Sequence, residues 1–518
     1  MRRESSTAQQ SLSSMKVTEA DSTEKLPAME KLVDMADLKR KSVRGGMVTM
    51  VSQAITIGIQ LTSTVILARL LSPEDYGVLA MVMAVTAFAG IFREMGLSSA
   101  AIQKKGLTRE QQSNLFWLNL AMGIILTVIV AGASPLVAWF YGKPELVAVT
   151  LALSLNFIIS SLSTQHGAML IRNMQFGRKA VATIAGSLVT LAVAIILALQ
   201  GYSYWALVWG MLAGALVTSL LTLYLSPFRL GLPSKGSGIR DMLGFGANVT
   251  GFDFVNYFAR NLDNILIGRV WGTIELGYYT KAYQLMLFPI NAIRGPINQV
   301  AFPALSRLKD NETEFRNYFL SIISIIAYLT MPICAFLWCG STILIDLILG
   351  PQWSEVGTLI SWLAIAAFIQ PVAGMSGSLL LSLGLSRRYL LCGLCNAIIF
   401  SVCFMIGVNW GAKGVAISYV ITNYVILFPW LTWAFKGTPV NFKSFSIACM
   451  YPAVVSIFAF VVTEITFNHY LIESSIMGLI FMGLVFYSIV GLGYLVNKDV
   501  RRTFGRLLKK LRRLAHRL

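Results

Sequence analysis

Histidine is almost missing from this chain. Its 518 residues hold only His166, His469 and His516. They are scattered, and each reads as structural or solvated rather than as a ligand or general base. Charge is scarce as well: Asp, Glu, Lys and Arg make up 13% of the chain against 56% hydrophobic residues, which sets the soluble classes aside. Cysteine is confined to Cys334, Cys339, Cys392, Cys395, Cys403 and Cys449, all in apolar segments. Cys392 and Cys395 form a CxxC, but there is no second pair, no histidine ligand and no soluble redox fold around it, so the cysteines read as buried small hydrophobes. No metal and no cofactor is expected.

What the chain does have is a succession of apolar runs, each long enough to cross a hydrocarbon core of about 30 Å. They fall near 45–70, 76–103, 112–134, 145–171, 180–200, 203–225, 240–267, 275–303, 316–340, 355–383, 388–409, 412–435, 444–466 and 472–496, which predicts an all-α polytopic membrane protein of about fourteen spans. Residues 1–38 are polar and lack both an apolar core and a small-residue cleavage site, so they read as a disordered tail and not as a signal peptide. The net charge of +18 is spread between the apolar runs and at the two ends, which is a topology signal rather than a nucleic-acid footprint. Alternate connections carry Lys104, Lys105 and Arg109, then Arg172, Arg178 and Lys179, then Arg229, Lys235 and Arg240, and so on to Lys436 and Lys443; the other set offers little beyond Arg69, Lys143, Arg269, Lys281 and Lys413. The positive-inside rule then puts both termini in the cytoplasm. The longest outer connection is roughly a dozen residues, too short for a soluble catalytic domain, so catalysis has no visible seat and a transporter is expected rather than an enzyme.

An internal repeat runs through the chain. Leu67-Ala-Arg69-Leu-Leu-Ser-Pro-Glu-Asp75-Tyr-Gly77 lies without a gap against Ile267-Gly-Arg269-Val-Trp-Gly-Thr-Ile-Glu275-Leu-Gly277, an offset of 200. Further on, Gly201 matches Gly411 and Arg178 matches Arg388. This divides the chain into a cytoplasmic tail (1–43), a six-helix bundle (44–236), a second six-helix bundle (237–437), two extra helices (438–497) and a basic tail (498–518). Six helices separate the repeats, so the halves share a topology and relate by an axis along the membrane normal, with a cavity expected at their interface. In the tail, Phe504, Leu507, Leu511 and Leu518 face one side and eight arginines and lysines the other; this fits either an amphipathic helix on an anionic leaflet or a solvated topogenic tail.

Charges inside apolar helices are the candidate site. Between Asn248 and Arg269 a helix aligns Asp253, Asn256, Arg260 and Asp263 on one face. A charge at membrane depth is costly and needs a partner or a watery cavity. Arg93 and Arg294 occupy related places in the two repeats, and with Arg260 they form a candidate set for an anionic, phosphorylated substrate, because guanidinium forks match phosphate oxygens. The alternative is neutralisation by Glu94, Asp253 and Asp263. Asp253, Asp263 and Glu464 could equally carry a coupling proton or Na⁺ or serve as structural ion-pair partners.

Three stretches carry a family resemblance: Asn261-Leu-Asp263-Asn-Ile-Leu-Ile-Gly-Arg269, Leu276-Gly-Tyr278-Tyr279-Thr-Lys281-Ala-Tyr283 and Phe302-Pro303-Ala-Leu-Ser-Arg307-Leu-Lys-Asp310, together with the hairpin Ile66–Gly77. As a set, over about residues 40–497, they resemble the polysaccharide transporters of Wzx type, of the colanic-acid-exporter kind, in the MATE-like flippase superfamily. The resemblance implies two six-helix bundles with two additional helices. It also implies movement of an undecaprenyl-diphosphate-linked oligosaccharide across a bacterial inner membrane for surface polysaccharide biosynthesis, with membrane lipids, a polymerase and export machinery as further partners. The long N-terminal tail falls outside the family pattern. Competing readings are a MATE-type drug antiporter, a lipid II flippase, a glycan polymerase and a non-transporting scaffold. An antiporter for cationic drugs would favour an acidic cavity where the buried charge here leans basic, and a polymerase needs an outer loop that this chain lacks.

Overall fold

The computed structural model describes residues 45–94, 108–234, 240–469 and 476–496, and the side chains of all of these except 94, 240–256, 258–260 and 468–469. Among the described residues every regular element is helical, and eleven helices are long and apolar enough to cross a membrane. The first half comprises α1 (Gly45–Leu70), α2 (Pro73–Glu94), α3 (Arg109–Gly132), the short α4 (Ser134–Tyr141), α5 (Leu146–Arg172), α6 (Phe176–Leu199) and α7 (Tyr204–Leu225). The second comprises α8 (Arg240–Leu308), α9 (Glu312–Ile348), α10 (Ser354–Ala373), the short α11 (Met375–Ser382), α12 (Ser386–Gly407) and α13 (Gly411–Phe435). α14 (Phe442–His469) and α15 (Ile476–Val496) complete it.

Local chemistry sets the breaks. Between α1 and α2, Ser72 caps the new helix: its hydroxyl accepts from the Asp75 N–H at 3.3 Å, while the Asp75 carboxylate accepts from the Ser72 N–H and hydroxyl at 2.8 Å each. This is a reciprocal capping box with Pro73 at the first helical position, where its missing N–H costs nothing. The 69 residues of α8 contain one non-helical residue, Gly272, at φ 83° and ψ −163°. It divides the element into two arms where the sequence predicted two spans with a connection between them. α10 and α11 part at Gly374, three residues after Pro371, and the Ala367 carbonyl that Pro371 cannot engage accepts a 3.3 Å contact from the Cys334 thiol.

The repeat reappears as matched contacts. The Asp75 carboxylate accepts from the Ser203 hydroxyl at the start of α7, and the Glu275 carboxylate accepts from the Ala412 N–H, at 3.2 Å, at the start of α13. Gly201, in the turn before α7, and Gly411, the first residue of α13, have φ of 82° and 74°. Arg178 donates to the Leu225 carbonyl and Arg388 to the Lys436 carbonyl, each tying the start of one helix to the end of the next. One apolar core runs through both halves, from Ala68, Met81 and Tyr141 to Ile267, Leu276 and Trp353, and a second lies within the later helices around Phe315, Phe319 and Phe435. α14 and α15 pack outside the repeat against α9, through Trp338 stacked on Phe460 at 4.3 Å and Phe336 against Phe486 at 5.5 Å. The cysteines are free; Cys334, Cys392 and Cys449 are buried, whereas Cys395 is exposed on α12 and does not serve as a core residue.

Candidate functional site

At one end of the bundle the two halves meet in a tight seam formed by the α1–α2 hairpin and the Gly272 break. A Cβ on Gly77 would stand 1.8 Å from the Thr273 carbonyl oxygen, and one on Gly277 would stand 2.0 Å from the Pro73 carbonyl oxygen. Only glycine allows backbones this close. The flanks match in the same way. Arg69 donates to the carbonyls of Leu347 and Ile348 at 2.6 and 3.0 Å, satisfying the open C-terminal end of α9 in the other half. Arg269 sits 5.7 Å over the Phe140 ring of α4. Trp353 Nε1 donates to the Ala68 carbonyl at 2.7 Å, and Gly268 packs on Tyr141. The exposed Lys143–Glu74 pair, at 3.5 Å, adds little.

A cavity of about 590 Å³ begins where the seam ends. Asp263 and Tyr283 line it; Asn291, Arg294, Gln370, Asn396 and Asn423 give it hydrogen-bonding capacity, and Tyr389, Phe400, Tyr419 and Trp430 give it flat apolar faces. A cavity with one guanidinium, several amides and aromatic rings suits an anionic group joined to hydroxyl-rich rings. Arg294 is held by the break it faces: its Nη2 donates to the Gly374 carbonyl at 3.1 Å, and the guanidinium packs against the Gly374 α-carbon so closely that a Cβ there would lie 2.7 Å from it.

Asp263 is buried at 4% exposure. Its carboxylate accepts from the Tyr279 hydroxyl at 2.9 Å and from the Asn264 N–H at 2.8 Å. Tyr279 stacks on Tyr283 at 6.1 Å, the hydroxyls of Tyr283 and Tyr419 lie 3.4 Å apart, and Gln370 donates to Tyr419 at 2.5 Å. These aromatic and amide groups lead from the carboxylate into the cavity.

Of the residues singled out from sequence, the structure therefore brings Arg294 and Asp263 to one cavity. Arg93 lies half-buried in the last turn of α2 and is not among the residues lining it. The side chains of Asp253 and Arg260 lie outside the described residues. Glu464 is on α14, beyond the repeat and off the cavity wall. The described lining comes entirely from residues 263–430, the second half, where the repeat led to an expectation of walls from both. Sequence reasoning missed Gln370, Asn396, Tyr419 and Asn423, single polar or aromatic residues in apolar runs with no spacing to mark them. Lys281, counted from sequence with the outer connections, is instead buried two turns inside the second arm of α8.

Comparison with known proteins agrees with this architecture. Residues 66–358, more than half of the chain, match the family described as polysaccharide biosynthesis protein. The lipopolysaccharide biosynthesis protein WzxC of Escherichia coli (strain K12) is 24% identical over 75% of this chain and 80% of its own length. The teichuronic acid biosynthesis protein TuaB of Bacillus subtilis (strain 168) is 27% identical over 68% and 73%. Among solved structures, the lipid II flippase MurJ in an inward closed conformation superposes with a TM-score of 0.71 over 88% of this chain and 98% of its own, at 13% identity. An inward-facing MATE multidrug transporter gives 0.61 over 74% and 94%, at 18% identity. The overall fold is thus the one shared with the MurJ and MATE structures, and the chain belongs to the polysaccharide biosynthesis protein family as an all-α polytopic member.

Proposed function

We propose that this chain is a flippase that moves an undecaprenyl-diphosphate-linked oligosaccharide from the cytoplasmic to the periplasmic leaflet of a bacterial inner membrane, for surface polysaccharide biosynthesis. The observation that carries the reading is the cavity: one guanidinium, Arg294, among four amides and six aromatic rings, closed at one end by a seam of backbone contacts. The Arg294 fork offers paired donors to a diphosphate, and the amides and aromatic rings around it suit the sugars it bears. Relatives named for lipopolysaccharide, teichuronic acid and succinoglycan biosynthesis favour the same substrate class. Lipid II, the cargo in the name of the MurJ neighbour, is the second reading, and it rests on fold alone.

On this reading the chain crosses the membrane fourteen times with both tails cytoplasmic, residues 44–236 and 237–437 form the two moving bundles, and residues 438–497 add the extra pair. The seam is then the periplasmic gate, closed, and the cavity is the cytoplasm-facing half of the path. Alternating access needs the two halves to part at the seam and close below it. Arg294 binds the diphosphate, with Arg93 and Arg260 as further candidates, and Asp263 is the coupling-ion candidate. Partners would be a polymerase and export machinery that take the glycan on the far side.

The test is the rate of lipid-linked oligosaccharide flipping in proteoliposomes, normalised to folded protein. Arg294→Ala should lose at least about tenfold, the effect of one charge-assisted phosphate contact, and Arg294→Lys should keep part of it. Wild-type rates in Arg294→Ala would retire the binding role of Arg294.

A further inference from the structure

The seam is pseudo-symmetric, and at one position the symmetry is broken. Residues 76 and 276 correspond across the repeat, as do 81 and 281. On one side of the axis the pair is Leu276 with Met81, both fully buried and both against Gly268. On the other side it is Tyr76 with Lys281, whose ammonium lies 3.7 Å from the centre of the Tyr76 ring. Lys281 is 5% exposed and, among the described residues, makes no ion pair and no hydrogen bond; Tyr76 is pinned in turn by the edge of Trp353 at 5.3 Å.

A desolvated ammonium is expensive, and a single aromatic face returns only part of that cost. The Leu276–Met81 pair shows that the same seam closes without any charge. Lys281 therefore works against the closed gate, and Tyr76, whose ring lies over its ammonium, belongs to the other half. When the halves part, Tyr76 leaves with the first half and Lys281 is uncovered at the wall of the opened passage.

We propose that Lys281 is a second anion-binding residue for transport, masked by Tyr76 while the outer gate is closed and offered to a phosphate group when it opens. A ligand that binds only one state shifts the population toward it, so an anion on the outer side should favour opening. The inference rests on the flippase reading for the identity of that anion, the diphosphate of the substrate, but not for the site itself.

The experiment uses the full chain in phosphatidylcholine vesicles, with spin labels on unnatural amino acids at positions 139 and 410, exposed positions near the seam in the two halves. Inorganic diphosphate added on that side should lengthen the distance distribution in wild type and in Lys281→Arg, and leave Lys281→Met unchanged. Lys281→Met copies the seam's own apolar solution, so it should fold at least as well as wild type. Its flipping rate should fall about tenfold, with recovery in Lys281→Arg. An equal response of Lys281→Met to diphosphate, or flipping at the wild-type rate, would overturn the proposal and leave the flippase reading standing. Failure of wild type to flip the lipid-linked oligosaccharide would remove that reading, while diphosphate-driven opening lost in Lys281→Met would still establish the site. Opening caused by phosphatidylglycerol in place of diphosphate, and abolished by the same substitution, would assign the anion to a lipid headgroup and overturn the substrate assignment.

Discussion

Gly277 lies against Pro73 as Gly77 lies against Thr273: in each case a Cβ on the glycine would come within 2.0 Å of a carbonyl oxygen in the other half. Corresponding positions are exchanged across one pseudo-two-fold axis, which makes the contact self-complementary. A methyl group at either glycine has to push backbone away from backbone. Overpacking of this kind costs about 2 kcal/mol, so Gly77→Ala or Gly277→Ala should move the closed-to-open ratio at this end roughly thirtyfold toward open. Distances between labels in the two halves would report it, and an unmoved distribution would mean that the seam separates elsewhere.

Arg69 closes the same end by another means, donating to the last carbonyls of α9 across the seam. Because the site is exposed, its loss should cost about 1 kcal/mol, or roughly fivefold in the closed-to-open ratio, several times less than the glycine variants. Arg69→Lys should restore little, since one ammonium cannot reach both carbonyls in the guanidinium's fork geometry. Hydrogen exchange at the end of α9 is the readout, with faster exchange expected in Arg69→Ala.

The buried Asp263 carboxylate and its Tyr279 partner predict a split between coupling and folding. Asp263→Asn keeps the shape and one acceptor oxygen for the Asn264 N–H, and the Tyr279 hydroxyl can turn to accept from the new NH2, so folded yield should stay near wild type while any dependence of flipping on a Na⁺ or proton gradient is lost. Tyr279→Phe removes one hydrogen bond to a buried carboxylate and should lower stability by about 1–3 kcal/mol with the ion dependence retained. Gradient dependence that survives in Asp263→Asn would return this residue to a structural role.

Topology is checked by labelling single cysteines from outside. Probes at Gly142 and His469 should react and probes at Gly236 and Lys443 should not; the reverse pattern would invert the gate and make the seam cytoplasmic.

The fold was legible because its signals are periodic or repeated. Apolar runs mark the spans, and the 200-residue offset between Arg69 and Arg269, and between Gly77 and Gly277, marks the halves before any contact is known. The pairing of these residues was not legible, since the offset says that two positions correspond and nothing about what each one touches. Arg69 meets α9 and Arg269 meets Phe140, partners set by a three-dimensional exchange between halves. The cavity was half legible. Arg294 and Asp263 stand out as charges in apolar sequence, whereas Asn396, Asn423 and Gln370 are isolated amides whose convergence depends on helix rotation. The place of Lys281 is not legible in the sequence, because only packing between the halves puts Tyr76 over it.

The most direct test of the central claim is flipping by the purified protein. Proteoliposomes loaded with undecaprenyl-diphosphate-linked oligosaccharide, fluorescently tagged on the sugar, are probed with a membrane-impermeant quencher over time. The account predicts that wild type exposes the inner-leaflet pool, that Arg294→Ala does so at least about tenfold more slowly, and that Arg294→Lys falls between them. Equal exposure in protein-free vesicles and in wild type, with the protein folded, would contradict it.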